Sequence, residues 1–263
     1  MKCEPSILAR LRAMPGDVSL YYKNLITGET LAYQADRSLI AASVIKLALL
    51  GEVFRRFDAG EMDPGETVTL RAADKVPSCG ALTYLHDGLQ VTLRDLCVLM
   101  VILSDNTATN MLFDRVGAEA INRFLSERGL SALDFNRKMF DAEAAARGVQ
   151  NHITAAGVGL MLEKLFRGEL VSPAADAEML SILRDQRLNH KIPFYLDDYA
   201  IAHKTGEDDG TSHDAAIVYA PQPFVLCLFS NHTDVPAFER LMQDVARDLA
   251  AEQVAAQAAE QAE

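Results

Sequence analysis

Strand-like alternation occupies both ends of this chain and helix-like periodicity fills the middle, and that order restricts the fold more than any other feature. Residues 18–23 and 29–34 read as strands joined by a short turn at Gly28, and residues 199–205, 214–219 and 224–230 read as three more. Between them, helical spacing runs through 92–103, 106–116, 119–128, 154–166 and 173–184. Strands from opposite ends can share a sheet only if both termini close it. The predicted fold is therefore α/β in the α+β-sandwich sense: a five-stranded antiparallel sheet flanked by N- and C-terminal helices, plus an all-helical lobe. The sheet lobe takes about residues 1–42 and 195–263 and the helical lobe about 43–194, making residues 1–263 one catalytic domain. The default site is the cleft between the lobes.

Ile7, Leu8, Leu11 and Met14 mark the first flanking helix, stopped by Pro15-Gly16. Phe238, Leu241, Met242, Val245 and Leu249 mark the last, and the polar tail after it, residues 250–263, is expected to fray. Residues 43–57 are apolar nearly throughout except Lys46, Glu52 and Arg55-Arg56, the pattern of a helix buried on all sides.

Composition removes several classes of function. The balance of 25 basic against 37 acidic residues gives a net charge of −12, the wrong sign for a nucleic-acid binder. The four cysteines, Cys3, Cys79, Cys97 and Cys227, are too scattered for a disulfide scaffold, and the six histidines show no ligand spacing, so no metal and no cofactor is expected. His203 alternates with Lys204 on its strand and is expected to pack on the opposite face. No stretch has the length and apolarity of a signal peptide or a membrane span. The expectation is a cytoplasmic monomer, unless the chain was trimmed from a secreted or periplasmic precursor.

Three short motifs carry the chemistry. Ser43-Val44-Ile45-Lys46 opens the buried helix, and Ser and Lys at i and i+3 share a face. Serine needs a neighbouring base to become a nucleophile, and a lysine among apolar side chains loses its preference for the charged form. Ser104-Asp105-Asn106 lies between two helices, offering a hydroxyl to relay a proton and an amide to hold a carbonyl. Lys204-Thr205-Gly206 ends a strand, with positive charge, a hydroxyl, and room for a substrate along the strand edge. Each string is common enough alone to be a helix cap or a strand end. All three in this order, each on its predicted element, are not a coincidence.

The set is the signature of class A β-lactamases and penicillin-binding proteins, and the sequence resembles that active-site serine superfamily, class A most closely. The likeness extends to Val76–Leu82 (VPSCGAL), Val91–Leu96 (VTLRDL) and Leu103–Asn110 (LSDNTATN). The resemblance implies that Ser43 is acylated, Lys46 takes its proton, Ser104 passes a proton to the leaving nitrogen and Asn106 binds the substrate amide. Lys204, Thr205 and Gly206 line the substrate carboxylate site, and the oxyanion hole is the N–H of Ser43 plus the N–H of Glu207.

Three departures shape the expected activity. The class A glutamate that activates the deacylating water, usually within ExxLN, has no counterpart in Asn136–Thr154, where Asp141 and Glu143 are the acids available. Glu207-Asp208-Asp209 follows the third motif and, with no arginine in 211–214, is expected to weaken an anion pocket by repulsion. Cys97 stands where many relatives carry half a disulfide, but the partner position is Leu50. Cys79, beside the cleft mouth, reads as a small packed side chain. The leading expectation is a serine hydrolase opening β-lactam amides through a Ser43 acyl-enzyme, with weak deacylation. The alternatives are DD-peptidase-like or esterase activity on cell-wall peptides or small esters, and a non-hydrolysing penicillin-binding sensor.

Overall fold

The computed structural model describes residues 1–77 and 79–260, the side chains of 256–260 excepted. Helix α1 (Glu4–Ala13) leads into a hairpin of β1 (Asp17–Asn24) and β2 (Thr30–Tyr33). A two-residue strand β3 (Leu39–Ile40) and a 3-10 turn (Ala42–Ile45) then run directly into α2 (Lys46–Asp58). Short strands β4 (Thr67–Thr69) and β5 (Gln90–Thr92) precede α3 (Leu93–Ile102), α4 (Asn106–Val116), α5 (Ala118–Glu127) and the one-turn α6 (Ala142–Ala146). After β6 (His152–Ile153) come α7 (Ala155–Arg167) and α8 (Pro173–Arg184), then β7 (Ile201–Asp208), β8 (Thr211–Val218), β9 (Phe224–Asn231) and α9 (Val235–Glu260).

The five long strands form one antiparallel sheet in the order β2-β1-β9-β8-β7. Both termini do close it, since β1 pairs along its full length with β9, from Asp17 opposite Asn231 to Asn24 opposite Phe224. Pleating sorts the sheet's side chains by parity. Phe224, Leu226 and Leu228 pack with Ile7 and Leu11 of α1 and Phe238, Met242, Val245 and Leu249 of α9. Val225, Cys227 and Phe229 face the other way, into the core shared with α2, α7 and α8. The polar tail expected to fray is helical as far as Glu260, and its last residues lie outside the described part of the chain.

Helix α2 is buried on every side from Lys46 to Phe54. Its buried carboxylate, Glu52, accepts from Arg55 Nε at 2.7 Å and Arg56 Nε at 2.8 Å, which explains the charged end of an otherwise apolar segment. The two-residue β3 pairs with β6, and β4 with β5. These ribbons are too short to show in a hydropathy pattern. Cys97 is fully buried and not disulfide-bonded, and Leu50 is buried as well.

Candidate active site

Ser43 lies in the 3-10 turn ahead of α2, one step earlier than the α-helical start the sequence implied. The difference matters geometrically, because residues i and i+3 eclipse in a 3-10 helix, so Ser43 and Lys46 stand on one side. The turn is reached through Ala42 in the left-handed region (φ 42°) and is braced by the Ala41 N–H donating to the Asn151 carbonyl at 2.9 Å.

Lys46 is fully buried, and its amine reaches the Ser104 carbonyl at 2.7 Å, Asn106 Oδ1 at 2.7 Å and Ser104 Oγ at 3.1 Å. Burial, reinforced by the nearby Lys204, pushes its pKa well below that of an ordinary lysine. Lys204, also fully buried, donates to Ser104 Oγ at 3.0 Å and to the Thr205 carbonyl at 2.8 Å, and burial brings its pKa down to about 7. The three motifs thus meet at one hydroxyl. A neutral Lys46 has two N–H groups, which the two carbonyl-type oxygens occupy, so its lone pair is left toward the hydroxyl side. Ser104 Oγ, accepting from Lys204, then has its own proton to give.

Ser104 holds this place at φ 54°, in the left-handed region just past the end of α3. Asp105 fixes the neighbourhood. Its Oδ1 caps α4 through the Ala108 N–H at 2.9 Å, and its Oδ2 accepts from the Ala81 and Leu82 N–H groups at 2.7 and 2.8 Å. That binds the 79–82 loop to the second motif so closely that a β-carbon on Gly80, itself at φ 120°, would stand 2.4 Å from the Asp105 carboxyl carbon. Cys79 is not the packed side chain expected. It is exposed, lines the cleft, and its Sγ lies 3.5 Å from the Ser104 carbonyl.

Edge strand β7 brings the third motif against the 3-10 turn. A β-carbon on Gly206 would lie 3.2 Å from the backbone nitrogens of Ser43 and Val44, so glycine permits this approach. Glu207 follows, and its carboxylate does not act as the unpaired repulsive charge the sequence implied. It meets the fully buried Lys191 at 3.0 Å and His190 at 3.2 Å, and these bonds, His190's first, hold its pKa down to about 2. Asp208 lines the cleft beside it. His203 is buried in a polar pairing, its ring nitrogens 3.0 Å from Asp214 Oδ1 and 3.0 Å from Asn189 Oδ1. Among the described residues, His190, Glu207 and Glu239 form the cluster with metal-ligand chemistry, but the Lys191 ammonium stands 3.0 and 3.7 Å from its two carboxylates, where a cation would sit.

The site opens into a cleft of about 610 Å³ that includes Ser43, Asn106, Met139, Phe140, Asp141 and Glu207. Of the two acids proposed for deacylation, Asp141 reaches the cleft, but its Oδ1 caps α6 by accepting from the Ala144 N–H at 2.8 Å. Glu143 is exposed on α6 and is not part of the cleft wall. The loop residue held against the second motif's helix is Met139, clamped at its backbone by Asn110. A signal for this was available: Asn110 follows Asn106 by four residues, on the same helical face. No signal marked Lys191, whose partners are more than a dozen residues away along the chain.

Solved structures with this fold include β-lactamases and PBP-A. The β-lactamase from Sphaerobacter thermophilus is 33% identical, superposes with a TM-score of 0.88 and covers 96% of this chain and 97% of its own. PBP-A is 29% identical with a TM-score of 0.87, covering 96% of each chain, and a point mutant of PBP-A is known as an acyl-enzyme complex with penicillin G. A curated β-lactamase from Rhodobacter capsulatus is 26% identical over 214 residues, 79% of this chain and 73% of that one. The chain belongs to the beta-lactamase enzyme family, whose model matches residues 3–254. Family and fold make it a hydrolase of the serine β-lactamase type. Among the described residues, no helix is long and apolar enough to cross a membrane.

Proposed function

We propose that this chain, as one catalytic unit, opens β-lactam amides through an acyl-enzyme on Ser43 and hydrolyses that acyl-enzyme slowly. The observation that carries the reading is the convergence of Lys46, one turn along from Ser43, and Lys204 on Ser104 Oγ, at 3.1 and 3.0 Å. Neutral Lys46 takes the Ser43 proton as Oγ attacks the amide carbonyl. The oxyanion forms against the N–H groups of Ser43 and Glu207. Ser104 donates its proton to the departing nitrogen and is resupplied from Lys46, while Lys204 and Thr205 face the substrate carboxylate and Asn106 its side-chain amide.

Deacylation needs a base for water. Of the acids on the cleft wall, Asp141 is engaged as a helix cap, Glu207 is paired with Lys191 and His190, and Asp208 accepts from the Asp209 N–H, which favours a long-lived acyl-enzyme. The same observation favours a second reading, that the working substrate is a cell-wall peptide or ester and penicillins are trapped. Mass spectrometry after mixing with benzylpenicillin tests both. A Ser43 adduct that decays over minutes supports slow hydrolysis, and one that persists supports the trap. No adduct and no turnover removes both, as does adduct formation undiminished in Ser43→Ala.

A further inference from the structure

Lys191 stands out because the chemistry just described does not use it, yet it is a fully buried cation beneath the third motif. Its ammonium has three protons to place. One faces Glu207 Oε1 at 3.0 Å, and the others face the Gly206 and His213 carbonyls, each at 3.3 Å. A buried ammonium is costly, and an apolar side chain would fill the same space more cheaply. What the ammonium adds is directed charge, aimed at one peptide group in particular.

The Gly206 carbonyl and the Glu207 N–H are the two ends of a single amide. In a trans peptide they point in opposite directions, so a cation under the carbonyl leaves the N–H facing outward from the edge strand. Drawing electron density toward that carbonyl oxygen makes the N–H a stronger donor, because hydrogen bonds along one polarisable unit reinforce each other in a low-dielectric setting. The peptide also needs fixing. β7 is the edge of the sheet, with β8 on one side and, among the described residues, no strand on the other. By bonding Gly206 on β7 and its register partner His213 on β8, Lys191 ties the two strands together at the level of the oxyanion donor.

We infer that Lys191 is a positioning residue for acyl transfer, its ammonium orienting and polarising the Gly206–Glu207 peptide whose N–H receives the developing oxyanion. This rests on the acyl-enzyme reading above. The residue touches no substrate, and its effect belongs to the chemical step and not to initial binding.

The test uses the full chain, with Lys191→Met, Lys191→Arg and, as a control within the same cluster, Glu239→Gln. Benzylpenicillin acylation is followed by mass spectrometry of Ser43 and by the ester carbonyl band in difference infrared spectra. Removing a whole oxyanion donor costs about a hundredfold or more, so weakening one predicts roughly a tenfold slower acylation in Lys191→Met. The dissociation constant of the initial complex stays within about twofold, and the ester band moves to higher wavenumber, as a weaker donor requires. Lys191→Arg, which keeps the charge, recovers most of the rate, and Glu239→Gln acylates like the wild type. Folded Lys191→Met with wild-type rate and band overturns the proposal, as does an equal loss in Glu239→Gln. If Lys191→Met does not fold, Lys191→Gln against Lys191→Arg makes the same comparison of charge lost with charge kept, and equal rates and bands overturn it. A wild type that forms no Ser43 adduct removes the hydrolase reading, and this inference with it. An adduct formed equally fast without the Lys191 charge removes the inference alone.

Discussion

The Asn110 side chain grips the backbone of Met139 from both sides, its Nδ2 donating to the Met139 carbonyl at 2.9 Å and its Oδ1 accepting from the Met139 N–H at 2.9 Å. This two-bonded clamp fixes an apolar, half-buried side chain in the wall that also carries Ser43 and Asn106. A glutamate here would add a carboxylate to that wall, as a base for a water beside an acylated Ser43. Met139→Glu is therefore expected to shorten the lifetime of the penicillin adduct by tenfold or more, within the roughly 10²–10⁴-fold a positioned general base supplies. Acylation rate should change little. Adduct decay in mass spectra is the measurement, and an unchanged lifetime in a folded variant would show that water does not approach from this wall.

Ser104 offers a test that separates strain from chemistry. Its φ of 54° suits glycine, and an alanine there keeps the strained backbone while losing the hydroxyl. Ser104→Gly and Ser104→Ala should both lose acylation by at least about a hundredfold, since neither can relay a proton. The glycine variant should nevertheless be the more stable by about 1 kcal/mol. Urea unfolding of the two proteins decides it. An alanine variant as stable as the glycine one would mean the left-handed backbone stores no strain.

The burial of Lys204 predicts opposite pH responses in binding and chemistry. With its pKa brought down to about 7, Lys204 loses its charge as pH rises through neutrality, and with it the attraction for a substrate carboxylate. The initial dissociation constant for benzylpenicillin should be flat below about pH 7 and weaken above it, by up to tenfold per pH unit. Its methyl ester, having no carboxylate, should show a flat profile. The acylation constant should rise with pH instead, as Lys46 deprotonates, since its pKa lies well below the usual lysine value. Stopped-flow measurements from pH 6 to 9 resolve both constants, and parallel profiles for acid and ester would remove Lys204 from the carboxylate site.

What the sequence made legible is what neighbouring residues determine. Periodicity located the long helices and the five long strands to within a few residues, because each buries a face that its own sequence encodes, but it missed the one-turn α6 in what reads as a loop. The three motifs identified the lysines and the hydroxyl that meet at Ser104. The missing information is long-range. Glu207 looked like a repulsive charge because Lys191 and His190, which engage it, lie more than a dozen residues upstream. Cys79 was read as packed from its residue type, whereas the Asp105 clamp on Ala81 and Leu82 holds its loop open at the cleft. Met139 was invisible because a methionine in a loop carries no chemistry until Asn110 is seen holding it. The strands β3 and β6, two residues each, rest on side chains from elsewhere and leave no pattern of their own.

His213 shows how such a remote contact couples the cleft to pH. Its Nδ1 accepts from the Ser230 N–H at 3.1 Å and its Nε2 lies 2.8 Å from the Ile40 carbonyl, so the ring bridges the sheet to a residue of the cleft wall. With Nδ1 accepting from Ser230 the imidazole is neutral and donates through Nε2, and the Ser212 carbonyl, 3.0 Å from Nδ1, is a partner only for the protonated ring. Complete burial accordingly lowers the His213 pKa from 6.5 to about 4. Between those values the unfolded chain binds a proton that the folded one refuses, so stability is lost as pH falls from about 6.5 to about 4. The shift corresponds to on the order of 3 kcal/mol when fully developed. His213→Asn, which does not titrate, should be less stable than wild type at pH 7 yet fall less steeply on acidification, the two curves converging by about that amount near pH 4. Urea unfolding at half-unit intervals measures the convergence. Parallel curves would mean that His213 takes up its proton as readily folded as unfolded, Nδ1 giving up the Ser230 N–H to donate to the Ser212 carbonyl 3.0 Å away, and that the cleft wall at Ile40 is held by the Asn231 side chain, which accepts from the Ile40 N–H at 2.8 Å.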